Sequence, residues 1–336
     1  MTRPTSSAAR QWPLIARFAE AEERLALAAV ARGPVPAGVY EFLRFGVKQA
    51  WACLFGGAMV ALLIATHLWY PKGAAVARYD FLVLAAVGLQ AALITLRLET
   101  IEEAKVILVF HIVGTAMEVF KTAVGSWIYP EASVLRIAGV PLFTGFMYAA
   151  VGSYLARAWR LFDLRFDRHP PTAHVFALAV AIYINFFAHH YVFDMRVVLF
   201  AAAAVLFGRT RVRFRVWRAW RSMPLLLGFV LIAAFIWIAE NVGTVTGAWL
   251  YPMQARAWSI VPLAKLGSWF LLMLVSYALV CLVNTPTAAD DVESTRDRLY
   301  GGLGAGPILD RGNLDPGLAA REARVGTVRR DGNRDR

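Results

Sequence analysis

Two glutamates stand inside apolar segments, where a charge has to be explained. Glu118 is followed by Gly125, Trp127, Tyr129 and Pro130, and Glu240 by Gly247, Trp249, Tyr251 and Pro252. The pattern E-x6-G-x-W-x-Y-P therefore occurs twice with identical spacing. Each copy runs on to a Val-Pro-Leu, at Val140, Pro141 and Leu142 and again at Val261, Pro262 and Leu263. Chance does not supply that agreement, and an internal duplication explains it. An ionisable group in a membrane is expensive unless it faces a polar cavity or a partner, so each glutamate is a site hypothesis. Paired carboxylates suit acid chemistry on a polyene: one gives a proton to a double bond, and the other takes one back or stabilises the cation. Trp127, Tyr129, Trp249 and Tyr251 would anchor the helix ends at the headgroup level, and could also flank such a cation through their ring faces.

Further residues can be assigned to the same site. Lys121 follows Glu118 by three positions on one helix face, and Lys265 lies near the start of the last apolar run, within reach of Glu240. His111 precedes Glu118 by seven positions on nearly the same face. Asn241 adjoins Glu240. Asn185, His189 and His190 close the fifth apolar run. The competing structural reading is a pair of buried Glu–Lys salt bridges that lock two halves together. Adjacent histidines point to different faces and no HExxH spacing occurs, so no metal is expected. No Gly-rich phosphate loop of the GxxxxGK type is present, and no cofactor is implied.

The elements that carry these residues follow from composition. Of 336 residues, 59% are hydrophobic and only 17% are charged, which is the balance of a membrane protein. The net charge of +12 is spread between apolar runs rather than over one folded surface, which argues against nucleic acid. Cys53 and Cys281 lie within apolar runs, which leaves no disulfide framework. No cleavable signal segment is visible at the start of the chain. Residues 14–32 read as an amphipathic helix closed by Gly33, Pro34 and Pro36, within an N-terminal segment of 1–44. Apolar spans are expected over 45–69, 80–97, 105–123, 137–158, 173–191, 196–208, 224–245 and 259–283. The stretch 196–208 is short for a full span. Residues 284–336 are polar and expected to be disordered.

The expected fold is thus all-α: a polytopic bundle of about eight transmembrane helices, arranged as two parallel four-helix repeats (about 45–160 and 173–283). Four spans per copy give both copies the same orientation, with a pseudo-twofold axis along the membrane normal. Basic residues set the topology. With both termini cytoplasmic, the inner segments hold nineteen basic residues, against five in the outer turns: Lys72, Arg78, Arg136, Arg196 and Arg256. The run Arg209, Arg211, Arg213, Arg215, Arg218 and Arg221 reads as a topology determinant, with docking of anionic lipid headgroups as the sharper alternative.

Several ordered segments carry a resemblance: RFGVKQAWACLFG, FHIVGTAMEVFKTAVGSWIYPE, PLFTGFMYAAVGSYLARAWRLFDLRF, NFFAHHY, FIWIAENVGTVTGAWLYP and LAKLGSWFLLMLVSYALV. Over about 42–283 the chain resembles the YoaT-like family of bacterial multi-pass membrane proteins, a domain-of-unknown-function family. The resemblance implies a bacterial inner-membrane protein and brings no catalytic residue with it. Three function classes then compete. The first is a membrane-embedded enzyme modifying a lipid or isoprenoid through the intramembrane carboxylates. The others are a proton-coupled small-solute transporter and a non-catalytic scaffold.

Overall fold

The computed structural model describes residues 13–287, with the side chains of 13–20 and of Glu23 left aside. The expectations for 1–12 and 288–336 lie outside the described residues. Among the described residues there are ten α-helices: α1 Pro13–Ala31, α2 Pro34–Ala52, α3 Leu54–Trp69, α4 Arg78–Thr95, α5 Ile101–Ala123, α6 Phe143–Phe162, α7 Thr172–Ala188, α8 Arg196–Phe207, α9 Leu225–Val245 and α10 Ala264–Cys281. Each of the eight apolar stretches thus contains a helix. Four of them (α4, α5, α9 and α10) are long and apolar enough to cross a membrane, and the bent pair α2–α3 adds a fifth candidate. Helix α7 and the twelve-residue α8 are apolar but shorter. Large apolar side chains such as Ile112, Ile184, Val205 and Phe235 remain exposed, as a lipid-facing surface requires. The chain is a helical integral membrane protein.

Two departures from the sequence expectation matter. The stretch 45–69 is not one straight span: α2 and α3 meet at Cys53 with a bend of 70°. The cause is the polar face of α2. Lys48 Nζ donates to the carbonyls of Leu161 (2.8 Å) and Arg215 (3.1 Å), and Glu41 accepts from Arg221 (2.6 Å). Val35, Phe42, Leu43 and Val47 on the same helix stay exposed. Helix α2 thus has one polar and one apolar face, and only beyond Cys53 does the sequence become apolar all round.

The second departure is β structure in a fold expected to be all-α. Strands β1 Arg136–Ile137 and β2 Val140–Pro141 form a hairpin turned by Ala138 and Gly139, both with positive φ (47° and 84°). Strands β3 Arg165–Asp167, β4 Arg211–Arg215 and β5 Trp220–Pro224 form an antiparallel sheet in that order, with Phe166 opposite Val212 and Val212 opposite Met223. Much of the arginine run is therefore strand. Its charges are largely committed within the protein: Arg213 bonds Asp167 (2.6 Å), Arg215 bonds Asp163 (3.1 Å) and Arg221 bonds Glu41, while Arg165 and Arg215 lie over the Trp220 ring. The Phe166 amide donates to the Thr287 carbonyl (3.1 Å), which ties the start of the C-terminal segment to β3.

Helix α6 sits at the centre, packed on α5, α3, α2, α10 and α4. Its approach to α5 depends on absent side chains. A Cβ on Gly114 would lie 2.6 Å from the Tyr148 side chain, and one on Gly152 would lie 2.6 Å from the Phe110 ring. Rings seated on glycines give the close van der Waals packing that joins helices where water supplies no driving force. At the Arg-rich end, α6 also buries a charged pair completely: Arg157 meets Glu99 at 3.1 Å. Gln90 donates to the other Glu99 oxygen (2.6 Å), and Arg157 donates to the Trp51 carbonyl (3.2 Å). This cluster joins α2, α4, α6 and the segment leading into α5.

Candidate functional site

Both motif copies begin at the end of a candidate span and turn back over it. After α5 the chain reverses at Gly125 (φ 72°), with Ser126 N donating to Lys121 O at 2.9 Å. After α9 it reverses at Gly247 (φ 67°), with Ala248 N donating to Gly243 O at 2.9 Å. Both glycines occupy the left-handed region that closes a helix, and other residues enter it only under strain. The two returning segments then meet. Ile128 and Leu250 stand at the same place in each copy and exchange both backbone hydrogen bonds, at 2.9 and 3.0 Å. The second turn is braced from outside its own copy: the Thr246 carbonyl accepts from Arg78 (3.0 and 3.1 Å), and Tyr79 OH donates to the Ala248 carbonyl (3.0 Å).

The turns bring aromatic donors back onto the glutamates. Glu118 accepts from Trp127 Nε1 (2.7 Å), Tyr129 OH and Tyr148 OH (2.7 Å). Glu240 accepts from Tyr251 OH and Trp269 Nε1 (2.5 Å). Both carboxylates are buried, each 4% exposed. Tyr148 and Trp269 each lie eight residues beyond the valine of the Val-Pro-Leu that follows their motif, so they too occupy equivalent positions.

The two carboxylates line one cavity of about 1270 Å³, whose remaining wall is chiefly apolar and aromatic. It reaches from this carboxylate end down to Phe45 and Gln49 of α2 and Phe214 of β4. Gly57 of α3 and Leu231, Phe235 and Ile238 of α9 line it while remaining exposed, so that side is open.

Most of the other expected residues gather at the same end. Lys121, Trp127, Tyr129, Trp249, Tyr251, Lys265, Asn185, His189 and His190 all line the cavity. The salt-bridge reading does not hold, because neutral tyrosine and tryptophan donors fill the positions around both glutamates. Lys121 turns instead to His190, with Nζ 2.9 Å from Nε2. An imidazole nitrogen that accepts from an ammonium belongs to a neutral ring. Lys265 lies over the rings of Tyr251 (4.4 Å) and Trp127 (5.7 Å), one from each copy.

Two expected residues are elsewhere. Asn241 points away from Glu240: its side chain donates to Trp237 O (2.8 Å) and accepts from Val261 N (2.9 Å), clamping the returning loop to α9. His111 packs between α5 and α6, 4.4 Å from the Phe146 ring. Asn185 and His189 line the cavity but also shape backbone, since Asn185 accepts from Met195 N ahead of α8 (2.9 Å) and His189 Nδ1 meets Asn185 O at 2.9 Å. Among the described residues, no group of three or more His, Cys, Asp and Glu is placed to hold a metal ion.

The site is thus a pair of buried carboxylates at the polar end of an apolar cavity in a helical membrane protein. By sequence, the chain belongs to the family described as "Protein of unknown function (DUF817)", which matches residues 41–277. It is 43% identical over 265 residues to the uncharacterized protein YoaT of Bacillus subtilis (strain 168), a match covering 76% of this chain and 98% of that protein. Two solved structures match it with a TM-score of 0.39 each. One is the mycobacterial Insig homologue MvINS from Mycobacterium vanbaalenii, and the other is a cross-linked trimer of MvINS. They are 16% and 15% identical to this chain, and each match covers 56% of it and 98% of the solved chain.

Proposed function

We propose that this protein is a membrane-embedded enzyme acting on an isoprenoid or other long-chain lipid, with Glu118 and Glu240 as the acid–base pair. One observation carries the reading: both buried carboxylates open on the same large, laterally open apolar cavity. Its volume of about 1270 Å³ exceeds what a drug-sized ligand needs, and the apolar wall offers no recognition for a polar solute along most of its length. A lipid entering past Gly57 and Phe235 would place its chain in the apolar body and its functional end between the carboxylates. One carboxyl group then delivers its proton to an alkene carbon. The other carboxylate removes a proton from a neighbouring carbon, and the double bond re-forms one position along. The aromatic rings of both motif copies flank the cation between these steps.

The exchange of backbone bonds between Ile128 and Leu250 supports an internal duplication with the two copies related by a twofold axis. With the Arg-rich sheet on the cytoplasmic side, the carboxylate end faces outward, eight spans cross a bacterial inner membrane and both termini are cytoplasmic. Proton-coupled transport is the second reading, favoured by the reach of the cavity from Gln49 near the Arg-rich end to Trp127 at the other.

The test is comparative lipid and isoprenoid profiling of cells holding the wild-type protein, Glu240→Gln, or no protein. The enzyme reading predicts a species that shifts with wild type and not with the variant. Identical profiles, with the variant inserted at its normal level, contradict it. Proton-dependent uptake into vesicles would then establish the transporter.

A further inference from the structure

The two lysines at the carboxylate end have a use that the acid–base pair does not supply. Lys121 is 4% exposed and Lys265 is held among aromatic rings, and both line the cavity. Among the described residues their hydrogen-bond and ring partners are neutral: His190 and the Phe186 ring (4.1 Å) for Lys121, and the Tyr251 and Trp127 rings for Lys265. The nearby carboxylates are engaged by other groups. Tyrosine and tryptophan donors hold Glu118 and Glu240, and Asp194 is bonded by Arg196 and Asn185. The lysines also break the duplication. Position 121 corresponds to Gly243 in the second copy, and position 265 to Thr144 in the first. Each copy contributes one cation, from a different helix, to the same end of one cavity. Lys121 is buried and Lys265 half-buried, an environment in which an ammonium favours an anionic partner, and among the described residues the carboxylates at this end are already bonded to other groups.

We infer that Lys121 and Lys265 together bind the anionic headgroup, phosphate or carboxylate, of the long-chain lipid whose tail fills the cavity. The inference rests on the lipid reading above and narrows its substrate class to acidic amphiphiles. Two charge-assisted bonds to such a headgroup fix the chain end beside the carboxylates, with His190 orienting Lys121 from behind.

The experiment titrates the purified full-length protein, in lipid nanodiscs, with a fifteen-carbon prenyl monophosphate, the corresponding prenyl alcohol and inorganic phosphate, following tryptophan fluorescence. The prenyl phosphate is expected to bind at least about tenfold more tightly than the alcohol. Lys121→Met and Lys265→Met should each remove most of that preference while leaving alcohol binding unchanged, and Lys121→Arg and Lys265→Arg should keep it. Equal affinity of the wild-type protein for phosphate and alcohol overturns the headgroup assignment and leaves the lipid cavity standing. Failure of both to bind overturns both readings. Inorganic phosphate binding as tightly as the prenyl phosphate overturns the lipid source in favour of a free anion. The wild-type ratios decide the matter even where a methionine variant does not fold.

Discussion

The two motif copies share a sequence pattern and a turn but not a surrounding. Glu118 is gripped by three donors, with Trp127 folded back onto it. Glu240 has two, because Trp249, the counterpart of Trp127, swings away and lays its indole against Gly243. A Cβ at Gly243 would collide with that ring, whereas the corresponding position in the first copy carries Lys121. The two copies thus share the acid, the reversing glycine and a returning aromatic donor, and differ in the rest. A pair of unequal carboxylates is what chemistry needs when one group gives a proton and the other takes one.

The largest effect that would break this comparison comes from Glu118→Ala. It strands three donors in a buried site, and should cost about 3–5 kcal/mol of stability against roughly 2–3 kcal/mol for Glu240→Ala, read as thermal unfolding in one detergent. Equal losses would mean that the two shells are equivalent despite their geometry. Gly243→Ala comes next: forcing the Trp249 ring aside should cost about 1–3 kcal/mol. Gly125→Ala should cost about 1 kcal/mol, since space is open there and only the positive φ resists. The sharpest contrast is Trp127→Phe against Trp249→Phe. The first loses a hydrogen bond to a buried carboxylate and should destabilise by about 1.5–3 kcal/mol, while the second loses no such bond and should cost under about 1 kcal/mol. If the two tryptophans prove interchangeable, the asymmetry carries no functional weight.

Much of this was legible in the sequence because it rests on short-range rules. Apolar runs located the helices, and fixed spacing exposed the two glutamates and the Trp and Tyr residues that follow them, which read as anchors at the headgroup level and not as hydrogen-bond donors to the carboxylates. Lys121, Lys265 and the His189–His190 pair were also placed at the site by position alone. What the sequence hid depends on contacts distant in the chain. Tyr148 and Trp269 were missed as ligands of the glutamates, although both stand eight residues past the valine of Val-Pro-Leu and extend the repeat. The bend at Cys53 arises from Lys48 reaching carbonyls on β4 and α6, which no local pattern announces. The arginine run reads as a charged loop until its alternation is seen to place Val212 inward and Arg211 and Arg213 outward on a strand. Helical spacing put His111 and Asn241 beside the glutamates, but a glycine-lined helix contact captured one and a loop clamp captured the other.

The central claim is that the cavity joining the two carboxylates holds a lipid. The direct measurement is mass spectrometry of lipids retained by the protein extracted in polymer discs, for wild type and for Gly57→Phe. Gly57 lines the cavity and has open space where a Cβ would stand, so a side chain can be introduced at the cavity wall there. The account predicts that wild type retains a defined acidic long-chain lipid and that the variant retains it at a level lower by about tenfold, at unchanged thermal stability. Equal retention by the two proteins, or the same lipid mixture as the surrounding membrane, would contradict it.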